Sequence, residues 1–261
     1  MPIQSFFQTY NKVMSILRDL IFKLRYGFRG YPVTISGTPF RVDESLRRWN
    51  MDCEESLHAK LRELVKAGDT VVDIGANFGL HTLYAAHLTT PAGRVYAFEP
   101  VPKNLALLHR NLGLNNLADQ VVVEDAAVSN SPDSHLEIFC PEEEVSVTAS
   151  LSSDAGGATA LKVRNLRLDD YTFDVSRAPT LVKIDVEGAE YEVLQGAEQF
   201  LLSAKPTLLI EVHVYALEDF GTSLEDFEGF LTKLGYQGER LSASGVERED
   251  YYQMIYIPTP S

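Results

Sequence analysis

The run Val71-Val72-Asp73-Ile74-Gly75-Ala76-Asn77-Phe78-Gly79 limits what this chain can fold into more than any other stretch. An apolar segment ends in an acid, turns on two glycines and leads into a helical pattern from Leu80 to Leu88. A second apolar segment, Val95-Tyr96-Ala97-Phe98-Glu99-Pro100, follows at the spacing of one strand–helix–strand unit. Glycines at such a turn let the backbone pass close to a bound molecule. The acid at position 99 stands where a nucleotide ribose is held in a sheet of this kind. A glycine turn alone is weak evidence, whereas a turn with a distal carboxylate in one βαβ unit is stronger.

The alternation continues down the chain. Strands are expected at Thr70–Ile74, Arg94–Phe98, Val121–Glu124, Thr180–Asp185 and Thr207–Val212. Helices are expected over 80–88, 102–114, about 189–202 and 224–234, with two last strands at 236–241 and 251–257. This pattern predicts an α/β fold with a mostly parallel, Rossmann-like sheet. Such a sheet binds ligands beyond the carboxyl ends of its strands, where all the acidic motifs here fall. Residues 129–170 break the rhythm. Alternating segments at Leu136–Phe139 and Val145–Leu151 and the small-residue run Ser152–Ala160 predict a β-rich insertion with a flexible loop. It is either a cover for a substrate or a passive excursion.

Residues 1–50 read as a separate leading unit before a domain spanning 51–261. Apolar residues from Ile3 to Leu24 recur at three- and four-residue spacings, which predicts an amphipathic helix over 3–26, broken at most once. Lys12, Arg18, Lys23 and Arg25 make it locally basic. Packing on the domain or on a twin subunit, and contact with a membrane surface, are the two roles open to it. Val33, Ile35 and Phe40 around Gly37-Thr38-Pro39 predict a hairpin over 31–43, and Asp52–Val65 a helix ended by Gly68.

The glycine turn departs from the Gly-x-Gly-x-x-Gly pattern that sets a pyrophosphate on a helix N-terminus. S-adenosylmethionine has no phosphate and carries a sulfonium, so Asp73 ahead of the turn suits its cationic end better. Asp73-Ile-Gly-Ala-Asn-Phe-Gly79, Phe98-Glu99-Pro100, Ala126-Ala127-Val128-Ser129, Lys183-Ile-Asp-Val-Glu-Gly-Ala-Glu190 and Glu211-Val-His213 occur in this order. Together they resemble the FkbM family of S-adenosylmethionine-dependent methyltransferases, over roughly Asp52 to Tyr256. The resemblance implies a class I methyltransferase fold and O-methylation of a hydroxyl on a sugar, glycan or polyketide-like product. Asp73, Gly75, Asn77, Gly79, Glu99, Asp125 and Ala126 are its implied cofactor residues, with Asp125 at the adenine amino group.

Charge and composition narrow the alternatives. Formal net charge is −14. An acidic chain repels phosphate backbones on average, so no nucleic-acid partner is expected. Cys53 and Cys140 form no disulfide framework, and no apolar segment is long enough to span a bilayer, which predicts a cytoplasmic protein. A nicotinamide oxidoreductase is the competing enzyme, but the glycine pattern is wrong and no Tyr-x-x-x-Lys dyad is evident. A methyltransferase acting on a base nitrogen would carry Asn/Asp-Pro-Pro-aromatic where Asp185-Val-Glu-Gly188 stands. A non-catalytic cofactor-binding scaffold is the third reading.

Methyl transfer from a sulfonium is an in-line displacement, so the protein mainly aligns the groups. An alcohol needs a base or a metal to become a good nucleophile. Lys183, Asp185 and Glu187 alternate along one strand end and Glu211 and His213 along another, so their side chains share a face. Carboxylates crowd together only around a cation. Lys183 or a divalent ion such as magnesium on Asp185 and Glu211 supplies it. His213 is the expected base, because its ordinary pKa lies near neutrality, with Asp185 and Glu211 beside it. Glu190 reads as a helix-stabilising residue, and Asp169 has no role readable from sequence.

Overall fold

The computed structural model describes residues 3–52, 54–140, 159–173, 178–241 and 251–259. Helix α1 (Ile3–Tyr26) leads into the hairpin β1 (Tyr31–Ile35) and β2 (Thr38–Val42), then a 3-10 turn at Glu44–Arg48 and helix α2 (Glu55–Leu64). The alternating region follows as β3 (Thr70–Ile74), α3 (Leu80–Thr89), β4 (Arg94–Phe98), α4 (Pro102–Leu114) and β5 (Val121–Glu124). The insertion supplies β6 (Ala127–Val128), β7 (His135–Cys140) and β8 (Thr159–Leu166). The chain returns through β9 (Leu181–Ile184), α5 (Glu190–Gln195), α6 (Glu198–Ala204), β10 (Thr207–Val212), α7 (Val214–Leu217), α8 (Leu224–Lys233), β11 (Tyr236–Arg240) and β12 (Tyr252–Pro258).

The main sheet has seven strands in the order β11-β12-β10-β9-β3-β4-β5. The five from β10 to β5 are parallel, and β12 runs antiparallel to both β10 and β11. The α/β class and mostly parallel sheet expected from the sequence are present. Strand order, which the sequence did not give, puts β3 between β4 and β9. The chain winds outward from β3 to β5 and then restarts at β9 on the other side. That reversal opens a crevice at the carboxyl ends of β3 and β9, the usual ligand site in an open α/β sheet.

The sheet's two faces carry different chemistry. Asp73 pairs with Lys183, and Lys183 with Leu209, so these side chains share a face. Val71, Leu181 and Leu209 continue that face into one apolar core, against α2, α3 and α4. Val72, Ile74, Val182 and Ile210 occupy the other face, against α5, α6 and α8. One face therefore turns from apolar to charged along its length, and the charged end is the crevice. The leading segment is not detached from the domain: Ile35, Phe40, Val42 and Leu46 sit in the same core as Leu83 and Leu108.

Three local expectations change. Helix α1 is continuous. The helix expected over 189–202 is two helices, broken at Gly196, where a side chain would meet the Ser129 carbonyl at 2.1 Å. There the Gly196 carbonyl accepts from Asp169 N (2.9 Å), and Asp169 Oδ1 accepts from Phe200 N (2.9 Å) in the first turn of α6. Asp169 thus fixes the break and satisfies a free amide, as carboxylates do at helix starts. Within the insertion, β7 and β8 pair antiparallel, with β8 beginning where a loop was expected. Val145–Leu151 and residues 152–158 lie outside the described residues.

Gly75 has φ +79°, and a Cβ there would lie 1.8 Å from the Asp185 carbonyl oxygen. The turn after β3 is pressed onto the chain leaving β9, and only glycine allows the contact. We expect Gly75→Ala to cost at least about 2 kcal/mol in chemical denaturation, from backbone strain plus the clash. Gly113, inside α4 with open space around it, is the matched control. Gly113→Ala should gain about 0.5–1 kcal/mol.

Candidate active site

Two clefts adjoin at the carboxyl end of the sheet. The first encloses about 660 Å³ out to its open mouth, with apolar walls from Ile74, Phe98, Val128 and Ile138 and polar points at Glu99 and Asn104. The second encloses about 990 Å³ on the same measure. Its rim is aromatic, from Trp49, Tyr215 and Tyr251, and its floor is polar, from Glu54, His81, Glu211 and His213. Gly75, Asn77, Asp185 and Glu187 line both.

Glu99, buried at the end of β4, organises the first cleft. Its Oε2 accepts from Asn77 N (2.8 Å), and its Oε1 accepts from Val101 N (2.8 Å) and Asn104 Nδ2 (3.3 Å). Burial raises its carboxyl to about 7, against the lowering effect of those donors and of Lys183. The amides of Gly75 and Ala76 both donate to the Phe98 carbonyl at 3.0 Å, so the β3 turn and the β4 end are one rigid unit.

Lys183 lies between the strands. Its ammonium, buried at 2% exposure, donates to Asp185 Oδ2 (3.0 Å) and the Gly75 carbonyl (3.3 Å) and stands 3.6 Å from Asp73 Oδ1. Burial alone would lower its pKa. Asp185, Asp73, Glu54 and Glu211 outweigh that and hold it well above the ordinary lysine range. Glu211 moves the other way: burial, then Asp185 and Glu54, raise its carboxyl well above the usual value, with Lys183 opposing.

The loop after β9 is unusual backbone. Glu187 has φ +55°, a left-handed conformation that is rare outside glycine, and Gly188 follows at +109°. Glu190 clamps this loop. Its buried Oε1 accepts from Gly188 N (3.0 Å) and Val186 N (3.4 Å) and bonds His213 Nδ1 (2.8 Å). His213 Nε2 lies 3.5 Å from Glu187 Oε2. Burial alone would depress the imidazole. The bond to Glu190, with the charges of Glu190, Asp185 and Glu187, raises it to about 9. Glu187 is raised to about 7 by burial first, then by Asp185 and Glu190, with His213 opposing.

These contacts revise the sequence reading. Gly75, Asn77, Glu99 and Ala126 line the first cleft as expected. Asp73 lies beneath it, held by Thr82 Oγ1 (2.5 Å) and facing Lys183, so its cation is internal and not a ligand. Gly79 starts α3 with φ +95° and packs on Leu108, away from both clefts. Asp125 is exposed, and its carbonyl accepts from Arg164 Nε (3.0 Å). Asp185, Glu211 and His213 do meet, in the second cleft. The carboxylates around His213 favour its imidazolium form, in which neither ring nitrogen has a free lone pair. Ligand atoms of Asp185, Glu187 and His213 lie within 4.8 Å of one another. Two side-chain cations already lie among these carboxylates, Lys183 at 3.0 Å from Asp185 and His213 at 3.5 Å from Glu187, so charge is balanced within the chain. Glu54, Asn104, Trp49, Tyr215 and Tyr251 are site residues that sequence reasoning missed. They lie outside the acidic motifs and carry no local signature.

The profile of the Methyltransferase FkbM domain matches residues 73–237. Among curated relatives, 31-O-demethyl-FK506 methyltransferase FkbM of Streptomyces tacrolimicus is 32% identical over 177 residues, 57% of this chain and 67% of that protein. Methyltransferase sdnD of Sordaria araneosa is 31% identical, over 49% of this chain and 60% of its own length. Hexuronic acid methyltransferase AglP of Haloferax volcanii is 27% identical, over 66% and 67%. The chain thus spans about three fifths to two thirds of these relatives. Among solved structures, an S-adenosylmethionine-dependent O-methyltransferase from Thermotoga maritima aligns with TM-score 0.52 at 12% identity, covering 89% of this chain and 79% of that one. Aeropyrum pernix fibrillarin, in complex with natively bound S-adenosyl-L-methionine, aligns with TM-score 0.50 at 14% identity, covering 87% and 82%. At such identities these two share the fold alone with this chain.

Lys183 is the group whose loss this geometry tolerates least. Lys183→Met leaves Asp73 and Asp185 without their shared cation, and breaking a buried pair in this way costs about 3–5 kcal/mol. Urea denaturation should register that loss. Adding Asp73→Asn to Lys183→Met should recover part of it, and strict additivity in the double variant would show that the two groups do not interact.

Proposed function

The chain belongs to the FkbM methyltransferase family, and on that footing we propose that it is an S-adenosylmethionine-dependent O-methyltransferase acting on a hydroxyl of a sugar, glycan or polyketide-like product. The observation that carries this reading is the junction of two clefts at Gly75, Asn77, Asp185 and Glu187. Transfer between two bound molecules needs adjoining compartments that align the reacting atoms across a narrow opening.

The first cleft has the donor set for an adenosyl group. Its apolar walls suit a flat base, Glu99 suits the two hydroxyls of a ribose, and Gly75 leaves bare backbone where the chain must be approached closely. When bound, S-adenosylmethionine supplies a methyl group already activated by positive sulfur. Asp185 and Glu187 beside the junction favour a cation there.

The protein's own task is the acceptor. Glu187 faces both clefts, and its carboxyl titrates at about 7, where a general base works best. Its carboxylate is placed to take the proton that the acceptor hydroxyl must lose. His213 holds Glu187 and stays charged throughout, and Glu190 holds His213 in turn. The role expected for His213 thus passes to Glu187. The aromatic rim of Trp49, Tyr215 and Tyr251 over carboxylates suits a hydroxylated ring with one apolar face. Relatives named for 31-O-demethyl-FK506 and for a hexuronic acid support the same acceptor class.

Glu187→Gln should lower turnover about 10²–10⁴-fold, the usual worth of a positioned base, while calorimetry finds S-adenosylhomocysteine affinity unchanged. In the parent protein the rate should rise with pH through about 7 as Glu187 loses its proton. The groups facing it are Asp185, Glu190, His213 and Tyr215. In His213→Gln the opposing cation is gone, so the rising limb should move to higher pH. Full activity in Glu187→Gln with an unmoved profile would remove it from the reaction. Separately, Glu99→Ala should weaken S-adenosylhomocysteine binding by ~1.5–3 kcal/mol, as for hydrogen bonds lost from a charged group. Unchanged affinity would exclude Glu99 from the cofactor site. Turnover should persist in EDTA, because Lys183 and His213 supply the positive charge.

A further inference from the structure

From Val13 onward, the described residues hold helix α1 by one face only. Phe22 and Tyr26 stack on each other (5.7 Å) and against Tyr31 (6.3 and 5.2 Å). The Arg47 guanidinium lies 5.3 Å over Phe22 and pairs with Asp19. The opposite face is apolar and uncovered. Val13, Ile16, Leu17, Leu20, Ile21 and Leu24 are 46–76% exposed, and Phe28, just past the helix, is 96% exposed. At 100° per residue these six side chains fill an arc of about 140°. Arg18 and Arg25 fall just outside one edge of that arc and Lys23 just outside the other, all exposed.

We propose that α1 lies flat on an anionic lipid surface, its Leu/Ile stripe in the acyl boundary and its basic edges among the headgroups. The charge pattern selects this occupant. From Val13 to Arg29 the helix and its exit carry four basic residues, Arg18, Lys23, Arg25 and Arg29, and one acid, Asp19, which Arg47 already pairs. The whole chain has a net charge of −14, so an anionic surface repels the body and attracts only this helix. A second copy fits less well. Two such helices would bring basic edge to basic edge, and the stripe is wider than the narrow seam of a two-stranded coiled coil. No helix among the described residues is long and apolar enough to cross a membrane, so the stripe fits a helix lying in the interface and not one spanning it. Long basic side chains beside an apolar stripe reach out to headgroups in this geometry. Docking would also orient the enzyme, because Arg47, which grips α1, is two residues from Trp49 on the rim of the second cleft.

Co-sedimentation of the full chain with vesicles tests this. The probes are phosphatidylcholine vesicles with and without phosphatidylglycerol. Binding is expected to the anionic vesicles and to fall with added salt. Leu17→Glu/Leu20→Glu should weaken it more than roughly tenfold, since it puts two charges where apolar side chains enter the acyl boundary. Arg18→Glu/Lys23→Glu/Arg25→Glu should abolish the preference for anionic lipid. These residues line neither cleft, so S-adenosylhomocysteine affinity should be unchanged and reports that each variant is folded. Failure of cofactor binding in the parent protein would count against the methyltransferase reading and leave this one standing. Absence of binding to both vesicles, or unchanged binding in the leucine variant, would overturn the proposal. A parent dimer that becomes a monomer in Leu17→Glu/Leu20→Glu, without vesicle binding, would assign the face to a second copy.

Discussion

One buried ammonium underlies the arrangement of the whole site. Lys183 is within 3.0–3.6 Å of Asp185, the Gly75 carbonyl and Asp73. A lone lysine at that depth would lose its proton, because burial penalises charge. Two carboxylates this close would repel each other without a cation between them. Each is tolerable because of the other, and together they join β3 to β9 at the point where the sheet reverses direction. The Gly75 turn can then press onto the Asp185 backbone, and the two clefts meet at that contact.

The second cation follows the same rule. His213 is drawn above its ordinary range because Glu190 and Glu187 hold it from either side. Glu190 also accepts from the loop amides, which keeps Glu187 in a left-handed conformation that would otherwise be unfavourable. The network thus fixes the carboxyl of Glu187 where it lines both clefts. Lys183 and His213 lie among Asp185, Glu187 and Glu190 and offset the repulsion of these carboxylates.

The structure also separates rigid parts from parts left open to the surroundings. The sheet ends are cross-tied by Glu99, Lys183 and Glu190, each with several partners. Asp169 similarly ties the insertion side of the fold to the break between α5 and α6. Helix α1 rests on a few aromatic contacts and presents its larger apolar face outward.

The sequence by itself determined the fold class, the strand positions of the main sheet and, among the residues that line the first cleft, Gly75, Asn77, Glu99 and Ala126. Those features are local: period-two apolar runs, glycines at turns that need them, and acids at the ends of strands. Gly75, Asn77 and Glu99 were legible for that reason, as were Asp185, Glu211 and His213 as one group. The tertiary structure decided what each charge is for. Asp73 and Asp125 looked like ligand contacts, yet one faces an internal lysine and the other faces solvent. His213 looked like a base because its ordinary pKa is near neutrality, and Glu190, distant in sequence and seemingly a helix-end residue, makes it a cation. Trp49 and Glu54 precede the first strand of the main sheet and Tyr251 its last, and only strand order brings them to one cleft. A side chain's type is written in the sequence. Its protonation state depends on the depth of burial and the charges beside it, which exist only once distant segments have packed together.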